Sequence, residues 1–388
     1  MMNKKERKFA PVTRLKPENY EVVKEFLNKM EMFLQIEAII TGQAIGDVFV
    51  DDINKPTFAL VWDYGHNFYI IKDHSSNLGD KVFNTFNTLF QSLRRNADIL
   101  DYYIHYFPLE LEDELTQGLS GKYPRKIFRY HYFFGETNIL PINIPDGFEL
   151  VKVDASIIEN DSLINIDKIR DWINDTWKGL QDFVSNGFGY CLMKENHIVS
   201  WCLADYVVDS RCEIGIETDE DYRRQGLATI VVSACINHCL QNGIERIGWD
   251  CLKTNIGSIK LAEKVGFKLY QEYPVLFGWY NSFDNFLVHA YYFYETGDFK
   301  TSSSYYKKAF ERLESYDIEA TYSKIMNHMN RNWFYYNAAR AFANDGEINE
   351  ALQHIYKAVE SGLPKKRIEN EPAFEKLRTI TGYKELFI

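Results

Sequence analysis

The sequence has 388 residues, of which 46% are hydrophobic and 26% are charged, which suits two or three folded domains and excludes wholesale disorder. The formal net charge of -11 argues against a nucleic-acid partner, because phosphate binding needs concentrated positive charge. No apolar run is long enough to predict a membrane span.

The cysteines and the N-terminus carry no sign of a metal site or of export. None of the 6 cysteines forms a CxxC pair with matching histidine spacing, so no metal site is predicted. Met1 to Lys8 are charged and lack an apolar stretch, so no signal peptide is predicted. Free thiols without a signal peptide favour a cytoplasmic location.

The first part of the chain, residues 1–145, is predicted to be an α/β domain. Helix-spaced apolar residues occupy Glu21–Ile40 and Lys81–Arg94, and short apolar runs between them are typical of strands. Pro145 and Gly147 mark the boundary with the next part. The predicted strands are Gly46–Val50, Thr57–Trp62 and Asn67–Ile71.

The second part, residues 146–282, has predicted elements in the order β-α-β-β-β-α-β-α-β-β. Strands and helices in this order form an α/β pattern. His197 lies in a predicted turn, which makes it a solvated residue rather than a catalytic one. The predicted strands are 148–153, 189–194, 198–208, 212–218, 246–251 and a final pair within 267–280, and the helices are 166–184, 226–242 and 256–265.

The third part, residues 283–388, is predicted to be helical with an internal repeat. Gly297 lies twelve residues before Ala309, and Gly346 lies twelve residues before Ala358. This spacing resembles the tetratricopeptide repeat, a helix-turn-helix unit with glycine at the turn and small residues where the helices touch. Two copies are fewer than the ~3 that a free-standing stack needs, so the tail is expected to pack on the second part of the chain or on a second subunit.

One short stretch indicates chemistry: Tyr222-Arg223-Arg224-Gln225-Gly226-Leu227-Ala228-Thr229 follows an apolar strand and opens an apolar helix. Backbone N–H groups at a helix N-terminus can hold a diphosphate, and the helix dipole favours negative charge there. Gly226 permits close approach of the backbone, and the two arginines add positive charge. Alone, the stretch fits a solvated helix start equally well.

This stretch resembles motif A of the GCN5-related N-acetyltransferase (GNAT) superfamily, whose fingerprint is Q/R-x-x-G-x-G/A. Arg223, Gly226 and Ala228 occupy its three fixed positions. Downstream, Asn255-Ile256-Gly257-Ser258 resembles motif B, and Gly266-Phe267 resembles the Gly-Phe bend of the family. The resemblance implies the GNAT fold, which is a mixed, twisted sheet flanked by helices (α/β or α+β), and an acetyltransferase activity over about residues 148–280.

Two further sequence segments resemble a particular subgroup of the superfamily. Glu213 to Thr218 and Trp249-Asp250-Cys251 are similar to a bacterial subgroup that includes a zwittermicin A resistance acetyltransferase. Residues 1–145 lack the phosphate motif, so they are either a degenerate GNAT-like half or an unrelated lid.

The resemblance implies acetyl-CoA as co-substrate and no metal. In the family the strands on either side of motif A splay apart, and the pantetheine arm lies between them. The implied cofactor-binding residues are Ile216, Glu217 and Thr218 for the arm, Arg223, Arg224, Gln225, Gly226, Leu227, Ala228 and Thr229 for the pyrophosphate, and Asn255 and Ser258 near the arm or the acceptor.

Acetyl transfer to an amine needs a group that removes a proton, because an alkylamine with a pKa of ~10.4 is protonated at neutral pH. Glu213 and Glu217 are the predicted catalytic residues, since their spacing on a strand puts both on one face. Asp250 on the next strand is a third candidate. The family often has a bulge in the first of these strands, and a bulge would disturb this facing.

The acid that protonates the CoA thiolate is not obvious in the sequence. Many family members carry tyrosine at the position of Ala262. Tyr270 or Tyr273 on the following strand could replace it, and solvent could also supply the proton, because a free thiol has a pKa of only ~8.5.

Three functions remain open. The first is acetylation of a primary amine on a small molecule, such as an antibiotic or a metabolite. The second is acetylation of a protein, with the helical tail recruiting the protein or mediating self-association. The third is an acetyl-CoA-binding sensor or scaffold, which the missing tyrosine favours. Neither nucleic acid nor membrane is a predicted partner.

Overall fold

The structure is a computed structural model that describes residues 12–24, 28–73, 78–93, 99–135, 138–315, 318–321, 323–328 and 331–387. The chain divides into two compact units. The first comprises Met1–Phe86, Tyr102–Gly118 and Lys126–Phe277, and the second comprises Asn87–Asp101, Leu119–Arg125 and Gly278–Ile388. The predicted features of Met1 to Lys8 and the end of the predicted helix at Arg94 lie outside the described residues.

The first unit is built on a 12-stranded sheet, of which only end residues of three strands fall in the second unit. The order across the sheet is β1-β2-β3-β4-β5-β12-β6-β11-β10-β9-β8-β7. The strands are β1 (Thr13–Arg14), β2 (Asp47–Val50), β3 (Phe58–Trp62), β4 (Asn67–Lys72), β5 (Asp101–Phe107), β6 (Arg125–Phe134), β7 (Glu149–Lys152), β8 (Gly189–Lys194), β9 (His197–Val208), β10 (Arg211–Thr218), β11 (Arg246–Leu252) and β12 (Phe267–Trp279).

The two halves of this sheet repeat one another. In the first half β1 to β4 pair antiparallel, and β4 pairs parallel with β5. In the second half β7 to β10 pair antiparallel, and β10 pairs parallel with β11. The strand beyond each parallel pair comes from the other half of the chain, because β12 lies next to β5 and β6 lies next to β11. The sheet therefore depends on both halves of the sequence.

Helices cover this sheet because their apolar faces pack on strands that are themselves apolar. All five residues of β3 are buried, which is typical of a strand covered on both faces. α7 is buried along most of its length. The helices are α1 (Leu34–Ile40), α2 (Gly79–Leu93), α3 (Leu111–Gly118), α4 (Ala155–Ile158), α5 (Ile166–Thr176), α6 (Leu180–Asn186), α7 (Leu227–Gln241) and α8 (Ile256–Val265).

The second unit contains two helical hairpins. α9 (Ser282–Glu295) and α10 (Phe299–Glu314) form one, and α13 (Arg331–Asp345) and α14 (Ile348–Glu360) form the other. Each hairpin turns at a glycine with positive φ, +82° at Gly297 and +86° at Gly346. Small residues are fully buried, namely Ser302, Ala309, Ala351 and Ala358. The remaining helices are α11 (Ile318–Thr321), α12 (Lys324–His328), α15 (Lys365–Glu369) and α16 (Thr381–Glu385).

The helical tail is thus confirmed, whereas its likeness to a tetratricopeptide repeat stays a prediction. Within the described residues, no helix combines the length and the apolar character needed to cross a bilayer. The division at residues 145 and 282 also stays a prediction, and β6, which precedes the first boundary, pairs with β11, which follows it.

Several predicted elements differ from the structure. The predicted helix 166–184 is two helices, because Gly179 between them has a φ of +134° that no helix allows. The predicted helix Glu21–Ile40 is interrupted, with 3-10 turns before α1. The predicted pair of strands within 267–280 is the single strand β12. β5, α3 and β6 were not predicted, although β5 and β6 are rich in aromatic residues typical of strands.

Substituting Ile173 with alanine tests the packing of α5, the helix that reaches the candidate site. Ile173 is fully buried in the core of the second sheet half. We expect Ile173→Ala to lower the free energy of unfolding by about 2–5 kcal/mol in urea denaturation, since it leaves a cavity. The matched control is Ile164→Ala, because the Ile164 side chain is 51% exposed. Equal losses in the two variants would contradict this packing.

Candidate active site

The site begins where two parallel strands separate. β10 and β11 pair only at three positions, from Arg211 with Arg246 to Glu213 with Gly248, although both strands continue and lie wholly within the described residues. In the first half of the sheet, β4 and β5 pair at five positions, from Asn67 to Ile71. The second parallel pair therefore opens into a gap that the first pair lacks.

A depression of about 590 Å³, here called the outer groove, lies at the open end of the gap. Its floor is the motif A turn, where Gly226 has a φ of +82° and caps the N-terminus of α7. A Cβ added at Gly226 would meet no atom within 4 Å, so the backbone faces open space. The lining residues are Ile216, Glu217, Thr218, Tyr222, Arg223, Arg224, Gly226, Leu227, Ala228, Thr229, Asn255, Gly257, Ser258, Lys260, Leu261 and Lys264.

The outer groove is electropositive. Arg223, Arg224, Lys260 and Lys264 line it, and Glu217 is the one acidic residue among its described lining residues. The Lys264 ammonium donates to the Thr229 hydroxyl at 3.2 Å, which holds it over the start of α7. A cationic groove at a helix N-terminus suits a phosphorylated ligand.

Nearly all residues predicted to bind the cofactor line this groove. The exception is Gln225, whose side-chain amide donates to the Asp221 carbonyl at 3.3 Å and is exposed. The sequence reasoning missed Lys260 and Lys264, although their spacing of four on α8 puts both on one face. The side-chain amide oxygen of Asn255 caps α8 by accepting from the Ser258 backbone N–H at 3.1 Å.

A second depression of about 450 Å³, here called the inner cavity, lies at the closed end of the gap. Ile216, Asn255 and Ser258 line both depressions, so the two adjoin. Both halves of the sheet contribute walls. The lining residues are Phe33, Gln35, Asn67, Tyr69, His105, Arg129, His131, Trp172, Thr176, Asp205, Tyr206, Glu213, Ile214, Gly215, Ile216, Trp249, Asp250, Cys251, Leu252, Asn255, Ser258 and Tyr273.

Asp250 is held in place by three side chains. The Arg129 Nε donates to its Oδ1 at 2.5 Å, the Tyr273 hydroxyl donates to its Oδ2 at 2.6 Å, and the His131 Nδ1 lies 3.2 Å from Oδ2. Burial alone would raise the pKa of Asp250, but the Arg129 charge and these hydrogen bonds bring that pKa well below its usual range. Asp250 is therefore a poor proton acceptor, which argues against the prediction that it is a third candidate for the catalytic base.

Glu213 lies where the gap opens. Its Cγ is 2.8 Å from the position that a Cβ on Gly248 would occupy, so the absence of a side chain there makes room for it. Glu213 accepts a hydrogen bond from the Leu34 N–H at 3.1 Å. Burial raises the pKa of Glu213, and the negative charge of Asp250 adds to the effect. A carboxylate with a raised pKa is a better base.

Asp205 is a third carboxylate in the inner cavity, and the sequence reasoning missed it. The register shift opposite Glu213 and Ile214 leaves Asp205 as the extra residue of a bulge in β9, so that Asp205 and Tyr206 both line the cavity. The Trp172 indole N–H donates to Asp205 at 2.7 Å. Burial raises the pKa of Asp205 to about 7. In the sequence, the feature that could have identified Asp205 is a lone carboxylate inside a long apolar strand.

The bulge lies in β9 and not in β10, so the alternation along β10 is intact. Glu213 and Glu217 are nevertheless separated, because Glu213 lines the inner cavity whereas Glu217 lines the outer groove. Glu217 also borders a further depression of about 550 Å³, here called the acidic cleft. The lining residues of this cleft are Lys168, Asp171, Trp172, Asp175, Thr176 and Glu217.

The tyrosines considered as thiolate acids do not reach the junction of the two depressions. Tyr270 is 53% exposed, and Tyr273 gives its hydroxyl hydrogen to Asp250. Ser258 lies at the junction, where its hydroxyl oxygen accepts from the Trp249 indole N–H at 2.9 Å. Ser258 also forms a hydrogen bond with the Cys251 side chain. Ala262 is fully buried.

In the part of the chain that the structure describes, no cluster of three or more His, Cys, Asp or Glu side chains is arranged to hold a metal ion. The six cysteines are all buried and unbridged. His197 begins β9 rather than lying in the preceding turn, and its Nε2 lies 3.3 Å from Asp219.

The splayed strands, the glycine turn before a helix and the adjoining cavity define an acetyltransferase of the GNAT type, and comparison with known proteins agrees. The chain matches the model of the GNAT acetyltransferase family over residues 24–276, and it belongs to this family of acetyl-transferring enzymes. The predicted superfamily is therefore confirmed. The likeness to the zwittermicin A resistance subgroup stays a prediction.

Individual relatives can be named. The chain is 35% identical over 250 residues to the uncharacterized N-acetyltransferase YdfB of Bacillus subtilis (strain 168). The aligned region covers 62% of this chain and 89% of YdfB. A GCN5-related N-acetyltransferase-like protein from Streptococcus suis 89/1591 shares 20% identity, with 68% of this chain and 98% of that chain covered and a TM-score of 0.49. A GCN5-related N-acetyltransferase from Sphaerobacter thermophilus shares 10% identity, with 69% and 96% covered and a TM-score of 0.47.

A bulky side chain at Gly226 tests the outer groove. We expect Gly226→Trp to weaken acetyl-CoA binding at least ~100-fold in isothermal titration calorimetry, because the indole would fill the groove at the helix N-terminus. The control is Gly243→Trp, since Gly243 also has positive φ (+74°) and open space around it but does not line the groove. Both variants carry the same backbone strain. Equal affinities in the two variants would contradict the assignment.

The pH dependence of stability tests the environment of Asp205. Its pKa is raised to about 7 in the folded state from 3.8, so the stability contributed by the protonated form is lost as pH rises through this range. Asparagine does not ionise. We expect the free energy of unfolding of Asp205→Asn, measured relative to wild type, to increase by on the order of 2 kcal/mol from pH 5 to pH 8.

Urea denaturation at several pH values measures this difference. Asp209→Asn is the control, because the Asp209 side chain is 83% exposed. A difference between Asp205→Asn and wild type that does not change with pH would show that Asp205 ionises as an ordinary surface carboxyl group does.

Proposed function

We propose that this protein transfers the acetyl group of acetyl-CoA to a primary amine of a small molecule, by direct attack while both substrates are bound. The observation that carries the proposal is the junction of the electropositive outer groove with the carboxylate-lined inner cavity, between two strands that have stopped pairing. One depression suits a phosphorylated donor and the other suits an amine, and the junction would bring the reacting groups together.

The residues present fit acetyl-CoA. The Gly226 turn and the N-terminus of α7 would hold the diphosphate, with Arg223 and Lys264 close to it. The edge of β10 that has left β11 offers backbone groups from Gly215 to Thr218 to an extended arm. Acetyl-CoA supplies the thioester whose carbonyl carbon the amine attacks.

Glu213 is the proposed general base. It lines the inner cavity at the point where the strands part, whereas Asp250 is committed to Arg129, His131 and Tyr273. Its raised pKa suits the acceptance of a proton from an ammonium ion near neutral pH. Glu217 borders the outer groove and the acidic cleft, so its proposed role is in binding rather than in proton transfer.

Two further groups would assist the transfer. Backbone N–H groups on the free edge of β10 could donate to the carbonyl oxygen as negative charge develops on it. The Ser258 hydroxyl lies at the junction, and it could exchange its hydrogen bond with Cys251 for one to the departing sulfur, in place of the tyrosine that Ala262 replaces.

The first half of the sheet has a role in this proposal. Phe33, Tyr69 and His105 line the inner cavity, so the residues before 145 would shape the acceptor site. Their own parallel strands β4 and β5 stay paired, which leaves no gap for a second acetyl-CoA.

Substituting the proposed base tests the mechanism. We expect Glu213→Gln to lower kcat for acetyl transfer by about 10²–10³-fold, with the KM for acetyl-CoA changed less than about twofold, because glutamine cannot accept the proton. The measurement is the release of CoA thiol with an amine panel. Glu245→Gln removes an exposed carboxylate near the start of β11 and is the control. A Glu213→Gln variant with wild-type kcat would place the base elsewhere.

A further inference from the structure

The inner cavity combines aromatic walls with two carboxylates, those of Asp205 and Glu213, to which the described residues supply no ion-pair partner. Asp205 accepts from the Trp172 indole, and Glu213 accepts from the Leu34 backbone. Arg129 is the one permanent cation among the described residues that line this cavity, and its charge is already matched by Asp250. A bound ligand would therefore meet two carboxylates in a partly desolvated space.

An independent observation also points to a ligand in this cavity. His131 lines it and is fully buried, yet its Nε2 has no hydrogen-bond partner among the residues that the structure describes. Buried polar atoms are normally paired, so a missing partner indicates a group that is supplied on binding. This nitrogen lies 3.6 Å from the position of an added Cβ on Gly248, the same position that the Glu213 side chain approaches.

The negative charge continues outwards from the inner cavity. Trp172 and Thr176 line both the inner cavity and the acidic cleft, so the two are neighbours. The cleft contains the carboxylates of Asp171, Asp175 and Glu217 against the single ammonium of Lys168. Carboxylates therefore extend from Glu213 through Asp205 to the surface of α5.

The same lining disfavours other amines. An acceptor that carries its own carboxylate or phosphate would need a free cation near the amine, and Arg129 is bound to Asp250. A simple alkylamine would satisfy Glu213 but would leave Asp205 without a counterion. Aromatic side chains such as Trp172 and Tyr206 suit methylene chains and attract ammonium groups through their faces.

We propose that the acceptor is an aliphatic di- or polyamine. The amine to be acetylated lies at Glu213, a second ammonium group pairs with Asp205 beside Trp172, and a third lies in the acidic cleft near Asp171. The inference rests on the proposed function and names the substrate class of that site. In the reaction the ammonium group gives one proton to Glu213, and the neutral nitrogen forms the amide bond as the carbon–sulfur bond of the thioester breaks. The second proton that the nitrogen loses passes to the departing sulfur, so that CoA leaves as the thiol.

The test compares three four-carbon acceptors with one another, with a longer polyamine and with a lysine peptide. Thiol release is measured with 1-aminobutane, 1,4-diaminobutane, spermidine, 4-aminobutanoate and a blocked peptide that contains one lysine. We expect kcat/KM for 1,4-diaminobutane to exceed that for 1-aminobutane by about tenfold or more, as one charge-assisted pair provides. 4-Aminobutanoate should be the poorest of the small acceptors, because its carboxylate would face Asp205.

Variants assign the two outer carboxylates. Asp205→Asn should reduce the preference for the diamine over the monoamine to near unity. Asp171→Asn should lower kcat/KM for spermidine by about two- to fivefold, the range of an exposed ion pair, and leave 1-aminobutane unchanged. Asp167→Asn is the matched control, because Asp167 lies on the same helix with its side chain 85% exposed and does not line the cleft.

The outcomes separate this inference from the proposed function. Equal turnover of the monoamine and the diamine, or faster turnover of the lysine peptide or of 4-aminobutanoate than of every di- or polyamine, would overturn the inference while acetyl transfer to an amine stood. An absence of turnover with every amine, in a protein that binds acetyl-CoA, would overturn the proposed function and the inference with it.

Discussion

The separation of β10 from β11 beyond Glu213 and Gly248 is the constraint on which the rest of the site depends. A strand that loses its neighbour leaves backbone N–H and C=O groups that must find other partners, from water or from a ligand. Glycines in these strands make room for neighbouring side chains to line the gap. A Cβ at Gly215 would lie 2.2 Å from Trp172 and 3.0 Å from Asp205, so its absence lets these two side chains approach the free strand edge.

The repeated sheet explains why only one half carries this site. β4 and β5 form a parallel pair in the first half, as β10 and β11 do in the second, but β4 and β5 remain paired, and no phosphate motif follows β4. Because β6 and β12 each lie beside a parallel pair of the other half, the first half contributes Arg129 and His131 directly to the gap. One half thus forms the outer groove, and the other completes the inner cavity.

Local patterns in the sequence predicted the family, most strands of the second half and nearly all of the outer groove. Motif A is contiguous, so Gly226 and its neighbours could be recognised without any long-range contact. The inner cavity depends on pairings that are distant in sequence, such as His131 opposite Asp250. Residues of β5 and β6 therefore gave no sign of their role, because nothing local indicates that β6 lies beside β11.

Backbone irregularities account for the remaining differences. Asp205 reaches the cavity because β9 has one residue more than its partner, and a regular alternation would not place it there together with Tyr206. Likewise the amphipathic pattern of 166–184 continues across Gly179, whose positive φ ends any helix. Hydrophobic periodicity predicts which residues are buried, but it does not predict where a strand contains a β-bulge.

Under the proposed function, acetyl-CoA and the amine occupy the adjoining depressions together and react directly. Initial rates of CoA release, measured while the concentrations of acetyl-CoA and of an amine acceptor are varied independently, test it most directly. Intersecting lines in double-reciprocal plots are predicted, because both substrates must be bound before the acetyl group moves. Parallel lines would contradict direct transfer, since they indicate that an acetylated enzyme forms and that CoA leaves before the amine binds.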